Sequence, residues 1–145
     1  MNCIIDKARC FVQDIDKKYS IKFAYIFGSQ ASGKATDLSD IDIALYFKEK
    51  NSPIEDVYIR GALIEEGKAF FKKDVDIVSL YNASLLLKYE VIQQGIVIRD
   101  HSERADFESL ALREYFDFKY YSDIYDKAMV ERIKKGEFFG GDNDG

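Results

Sequence analysis

The chain predicts an α/β (α+β) fold: a small mixed β-sheet with helices packed against it and a long C-terminal helix. Three observations carry that expectation. Short apolar runs of strand-forming residues alternate with amphipathic helical stretches. Several of the helical stretches carry their own start and stop residues. From 102 to 135 no glycine or proline breaks the helical pattern.

Taken in order, residues 4–19 place Ile4, Ile5, Ala8, Phe11, Val12 and Ile15 at helical spacing with charges between them. Residues 21–27 are a first strand, stopped by Gly28-Ser29, and 29–35 open with a short helix. A second strand covers 41–47. Ser52-Pro53-Ile54-Glu55 is a strong helix start, with Ser as N-cap, Pro in the first position and Glu closing a capping box. That helix runs to about residue 70, with Ile54, Val57, Ile59, Leu63 and Ile64 as its apolar contacts. Residues 74–80 form a third strand. Asn82 caps a helix over about 83–93, ended by Gly95, and 96–99 form a last short strand. The final helix holds Phe107, Tyr115, Phe118, Tyr121, Tyr125 and Ile133 among others, more apolar surface than one stripe on a small domain requires. These residues suit either core or a partner surface, and sequence alone does not assign the faces.

At 145 residues the chain is expected to be one domain, residues 1–136, followed by a Gly- and Asp-rich disordered tail over 137–145. A hydrophobic share of 47% with 32% charged residues is a globular balance. No apolar run reaches membrane-span length, and Asp6, Lys7 and Arg9 interrupt any leader pattern, so a cytoplasmic protein without membrane association is expected. Cys3 and Cys10 could share one helix face, which suggests core packing over a disulfide or metal site. A net charge of −5 argues against general nucleic-acid binding, which depends on Lys and Arg displacing counterions.

The chemistry concentrates in 23–47. On a strand, Asp40 and Asp42 project from one face about 7 Å apart. Like charges so placed repel, and a hard cation such as Mg2+ relieves the cost. The plainer reading of Asp40 is a turn cap, and of Gly28 a strand terminator. Gly28 to Lys34 also has the spacing of a phosphate-binding loop, but Ala35 lacks the hydroxyl that such a loop places on Mg2+. Lys34 reads as a solvated loop residue, and His101, the sole histidine, as an ordinary helix cap or surface group.

Gly28-Ser29, ten residues, then Asp40-Ile41-Asp42 is the pattern through which the chain resembles the nucleotidyltransferase superfamily that includes DNA polymerase β. The likeness is greatest to its minimal nucleotidyltransferase branch, small proteins usually paired with a HEPN-domain toxin. It continues through Val75-Asp76-Ile77-Val78, Gln94-Gly95-Ile96-Val97-Ile98 and Arg113-Glu114-Tyr115-Phe116-Asp117, so it spans most of the chain.

That resemblance implies the polymerase β-like nucleotidyltransferase fold and transfer of AMP from ATP with two Mg2+ ions. Nucleotidyl transfer on such a metal pair needs three carboxylates on adjacent strands. Asp40 and Asp42 supply two, and Asp76, mid-strand, is the natural third, near the attacking group; Asp74 ranks behind it. Asp40, Asp42 and Asp76 are therefore the catalytic and metal-binding candidates. Gly28 and Ser29 are the nucleotide-binding ones, through close backbone approach and a hydroxyl. Gln30 stands where this family commonly has Arg, which removes one phosphate contact. The implied acceptor is a tyrosine of a HEPN toxin, making the chain an antitoxin that modifies its partner. The alternatives are an antitoxin that acts by binding alone, or transfer to a small molecule such as an aminoglycoside; RNA tailing ranks below both because of the acidity.

Overall fold

The structure, a computed structural model, describes residues 3–36 and 39–136. Helix α1 (Cys3–Tyr19) buries Ile5, Ala8, Phe11, Val12 and Ile15, the expected stripe. At its end Asp16 accepts a hydrogen bond from the Ile21 amide at 2.6 Å and another from Arg99 at 3.0 Å, tying the helix to the sheet it precedes. Cys10 departs from expectation. It is a free, exposed thiol, because a residue two past the buried Ala8 points some 200° around the helix. The Cys3 side chain and the tail over 137–145 lie outside the described residues.

Strands β1 (Ile21–Phe27), β2 (Ile41–Phe47), β3 (Val75–Ser79) and β4 (Ile96–Arg99) form one mixed sheet in the order β3-β2-β1-β4. The β1–β2 and β1–β4 pairs are antiparallel and β2–β3 is parallel. A parallel pair needs a long crossover, and α3 (Pro53–Phe71) supplies it. Its start is the predicted capping box: Ser52 Oγ accepts from the Glu55 amide at 3.2 Å, and Glu55 accepts from the Ser52 amide at 3.0 Å.

The sheet is covered on both faces. Ile26, Ile43, Leu45 and Ile77 pack towards α1 and α3, whereas Phe23, Tyr25, Ala44 and Val78 face the opposite side with Leu80 and Val91. On α3 the buried line is Asp56, Leu63, Gly67 and Phe71. Ile54 and Val57, expected as core contacts, are instead 71% and 65% exposed. They lie about 200° and 100° away from Asp56 around the helix, so the face that Leu63 buries cannot include them. Gly67 lets α3 lie close to β3: a Cβ there would stand 2.9 Å from Val75 Cγ1. Gly67→Ala is therefore expected to cost about 1–3 kcal/mol through overpacking, read as a lowered midpoint in urea unfolding.

After β3 the chain turns through Leu80–Asn82 before α4 (Leu85–Gln94). Here Ser84, not Asn82, is the N-cap, accepting from the Leu87 amide at 3.2 Å. Leu80 is fully buried, and the 3-10 turn it anchors takes up Asn82. Helix α5 (Arg104–Lys134) is pinned at its start. Arg104 holds Asp100 at 2.7 Å and Glu108 at 2.8 Å, Lys22 meets Glu103 at 2.7 Å, and the Tyr25 hydroxyl donates to Glu108. Burial and the Glu108 carboxylate push the Tyr25 phenol upward, so it stays protonated. Phe107 packs against Phe23 and Tyr46, Ala111 is buried, and Tyr115 stacks on Tyr89 of α4 at 3.9 Å. Beyond Tyr115 most of the helix is exposed. Among the described residues, no helix is long and apolar enough to cross a membrane.

Candidate active site

The topology brings one end of three strands together. The C-terminal end of β1 meets the N-terminal ends of β2 and β3, so that Phe27 pairs with Asp42 and Asp42 pairs with Asp76. Asp42 and Asp76 share the face of Ala44 and Val78, since side chains two apart on a strand point the same way. Register partners on neighbouring strands stand about 4.8 Å apart, so two carboxylates face each other across the pair. Asp40 sits just before β2 and is exposed, as is Asp76; Asp42 is half-buried. Asp74 is also exposed, and its carbonyl accepts from the Ile41 amide at 2.9 Å, which closes the start of the β2–β3 ladder.

The electrostatics follow from that placement. Burial, then the charge of Asp76, then that of Asp40, push the Asp42 carboxyl above its ordinary value. Among the described residues, no group of three or more His, Cys, Asp or Glu side chains stands close enough to hold a metal ion as placed. The donor set nevertheless suits a hard divalent cation: three oxygen donors of one sign, two on adjacent strands, whose mutual repulsion such an ion would relieve. Asp40, Asp42 and Asp76 are the residues that could hold it.

Gly28 ends β1 with φ 71°, a conformation that glycine adopts without cost. A Cβ built on it would lie 2.3 Å from Asp42 Oδ2, so this backbone passes directly over the carboxylate. The Gly28 carbonyl accepts from the Ala31 and Ser32 amides at 3.1 Å, winding the four-residue helix α2 (Ser29–Ser32), and Gly33 at φ 79° ends it. The structure thus brings Gly28, Ser29, Asp40, Asp42 and Asp76 to one end of the sheet. Gln30 holds a position that sequence reasoning treated only as a missing arginine. Its Nε2 donates to the Asp40 carbonyl at 3.4 Å, linking the loop after β1 to the start of β2. Lys34 is exposed, and His101 Nδ1 accepts from the Glu103 amide at 3.0 Å, a local cap ahead of α5.

The description "Polymerase beta, Nucleotidyltransferase" belongs to the family that matches residues 12–104 of this chain. The chain belongs to that family. Its matched span holds all five candidate site residues and the whole sheet. Two proteins of Methanocaldococcus jannaschii, both provisionally named as protein adenylyltransferases, are similar to this nucleotidyltransferase chain. One is 39% identical over 62 residues, 43% of this chain and 60% of its own length. The other is 32% identical over 79 residues, 54% of this chain and 81% of its own length. The chain thus spans less than two thirds of the first of these relatives.

Among solved structures, a toxin–antitoxin complex with AMP-PNP contains a chain 25% identical, with a TM-score of 0.70 over 86% of this chain and 98% of its own. A mutant of the MntA–HpeT toxin–antitoxin pair contains one 27% identical, with a TM-score of 0.68 over 86% and 96%. A chain from a Shewanella oneidensis complex, at 24% identity and a TM-score of 0.66, shares the fold over 89% of this one and 99% of its own. The nucleotidyltransferase fold expected from sequence is therefore the fold found.

Proposed function

We propose that this nucleotidyltransferase is a Mg2+-dependent protein adenylyltransferase, an antitoxin that moves AMP from ATP onto a tyrosine of a cognate HEPN-type toxin in the cytoplasm, using one domain over 1–136. The observation that carries the reading is the register pairing of Asp42 with Asp76 directly beneath the Gly28 backbone. Adenylyltransferase names among the sequence relatives support the reaction, and toxin–antitoxin complexes among the structural ones, one with an ATP analogue, support nucleotide and partner.

In this reading the partner's tyrosine oxygen attacks the α-phosphorus of ATP in line. The hydroxyl gives up its proton to solvent, an O–P bond forms, the bond from the α-phosphorus to the bridging oxygen breaks, and pyrophosphate leaves. Asp76 would hold a metal ion near the attacking hydroxyl, and Asp40 and Asp42 would join it in holding the ions that orient the triphosphate. The backbone at Gly28 and the Ser29 hydroxyl take β- and γ-oxygens. Mg2+ bound by the three carboxylates would neutralise the charge that builds on the attacking and leaving oxygens. With three carboxylates at the site, such ions would offset the repulsion of an anionic substrate.

Incubating the purified protein with labelled nucleoside triphosphates, Mg2+ and the product of the neighbouring gene tests the proposal. Label from ATP should appear on the partner and vanish with EDTA or when its tyrosines are replaced. No transfer by the wild-type pair would overturn the enzymatic reading. Within the same assay Ser29→Ala should weaken ATP binding by roughly 10- to 150-fold, the loss of one hydrogen bond to a charged group worth about 1.5–3 kcal/mol. Calorimetric titration of ATP with Mg2+ measures it, and an unchanged affinity would reduce Ser29 to a turn residue.

A further inference from the structure

Strand β3 is the outermost strand of the sheet, bonded on one side only, to β2. The Ile41 amide donates to the Asp74 carbonyl at 2.9 Å. Backbone groups alternate sides along a strand, so Asp74, Asp76 and Val78 turn their amides and carbonyls towards β2. Ile77 therefore turns its own towards the free edge. That residue is fully buried, and a buried carbonyl left without a donor is costly. The donor comes from the crossover helix: Arg60 Nε of α3 meets the Ile77 carbonyl at 2.8 Å.

Arg60 is itself held. One turn earlier, Asp56 is only 4% exposed, with Oδ2 4.0 Å from Arg60 Nη1. Among the described residues its Oδ1 finds no hydrogen-bond donor. A carboxylate buried with one oxygen unmet adds little to stability, so stability is a poor account of the pair. Its placement offers a better one. Ile77 directly follows Asp76, the exposed carboxylate of the edge strand. Asp42 stands on β2 with a strand on each side. Asp76 is tied on one side by the ladder and on the other only through Arg60 and the Ile77 carbonyl. Groups that share a metal ion must be held to within about 0.5 Å.

We propose that Arg60, steadied by Asp56, is a positioning residue for the Asp76 carboxylate. It fixes the free edge of β3 one residue beyond Asp76, and so sets the span to Asp42 across which an ion is shared. This rests on the metal-binding role proposed above for the three carboxylates and deepens it. Helix α3 covers the sheet face opposite to that of Asp42 and Asp76, so the influence of Arg60 runs through the strand and not by contact with an ion.

The test uses the full chain alone. Asp56→Leu with Arg60→Met removes one charge of each sign, so no buried ion is left unpaired and the field at the site changes little. Arg60→Lys keeps the charge, but without the planar fork it cannot serve the Ile77 carbonyl and Asp56 together. Affinity for Mn2+ alone is read from water-proton relaxation, and the looseness of β3 from amide exchange in EDTA. The double variant should bind Mn2+ about tenfold more weakly, the low end of what loss of a ligand-orienting residue costs. Arg60→Lys should fall between it and wild type. In both, the β3 amides should exchange faster, those of β1 and β4 should be unchanged, and the melting point in EDTA should stay close to wild type. Wild-type Mn2+ affinity in the two variants would overturn the proposal even with β3 loosened, leaving Arg60 as a guard of the sheet edge. If the double variant does not fold, wild-type affinity in Arg60→Lys is enough to overturn it. A wild-type chain that binds no Mn2+ would overturn it together with the metal reading on which it rests. Mn2+ binding that weakens as expected, in a chain that transfers no AMP, would support it while the transferase reading fell.

Discussion

Replacing Asp42 or Asp76 with alanine should abolish AMP transfer and leave the fold intact. Loss of a residue that merely orients a metal ligand typically costs about 10–100-fold, so loss of a ligand itself should bring the rate below about a hundredth of wild type. The fold should tolerate the change, because the two carboxylates are register partners that repel each other. Stability against pH gives an independent readout. The ordinary value for Asp42 is 3.8, and the folded value is raised by burial, by Asp76 and by Asp40. A carboxyl raised in the folded state destabilises that state once ionised. The penalty is absent below the unfolded value and grows as pH rises through the folded one. Metal-free wild-type protein should therefore lose stability relative to Asp42→Asn between about pH 4 and neutrality, and Mg2+ should narrow the gap. Melting both proteins in EDTA across that range, beside label incorporation at saturating ATP, checks the two parts. Near wild-type transfer by either alanine variant would end its metal role.

Gly28→Ala should be as damaging to activity and, unlike the aspartate changes, should cost stability as well. Its φ of 71° with ψ −149° lies in a region essentially confined to glycine, where a residue with a Cβ costs about 1–3 kcal/mol. The added methyl would also press within 2.3 Å of Asp42 Oδ2, so either the loop lifts or the carboxylate rotates away. Transfer is then expected to fall by about 100-fold, as when a group near the chemistry is misplaced by an ångström. Gly33→Ala serves as the control: its φ is also positive, at 79°, but with ψ 8° it lies in the milder left-handed helical region, and its Cβ would meet nothing within 4 Å. It should lower the melting point less than Gly28→Ala and leave transfer nearly whole. Equal loss of activity in both variants would mean that backbone strain, not the approach to Asp42, is what matters at Gly28.

The bounds of β1 and β2, the capping box that opens α3 and the long uninterrupted α5 were all legible, because each is written in residues adjacent in sequence. Expectations failed where several local signals were equally good. Asn82 and Ser84 are both acceptable N-caps, and burial of Leu80 in the preceding turn left the role to Ser84. Ile54 and Val57 look like core residues on an apolar helix, but α3 meets the sheet along Leu63, Gly67 and Phe71 instead. Cys10 likewise shared a candidate face with Cys3 yet faces solvent.

By itself the sequence determined the kinds and order of the elements, the Gly-Ser and Asp-x-Asp pattern, and a family likeness. Those rest on local periodicity and on spacing within one stretch of chain. The likeness already named Asp76 as the third carboxylate, but only tertiary structure decided that it pairs in register with Asp42, across a parallel pair joined through α3, and that the Gly28 backbone lies against the same carboxylate. It also decided that α5 is covered only over its first third. Strand register and helix facing depend on what packs against each element, and residues 34 positions apart along the chain carry no local sign that they will meet.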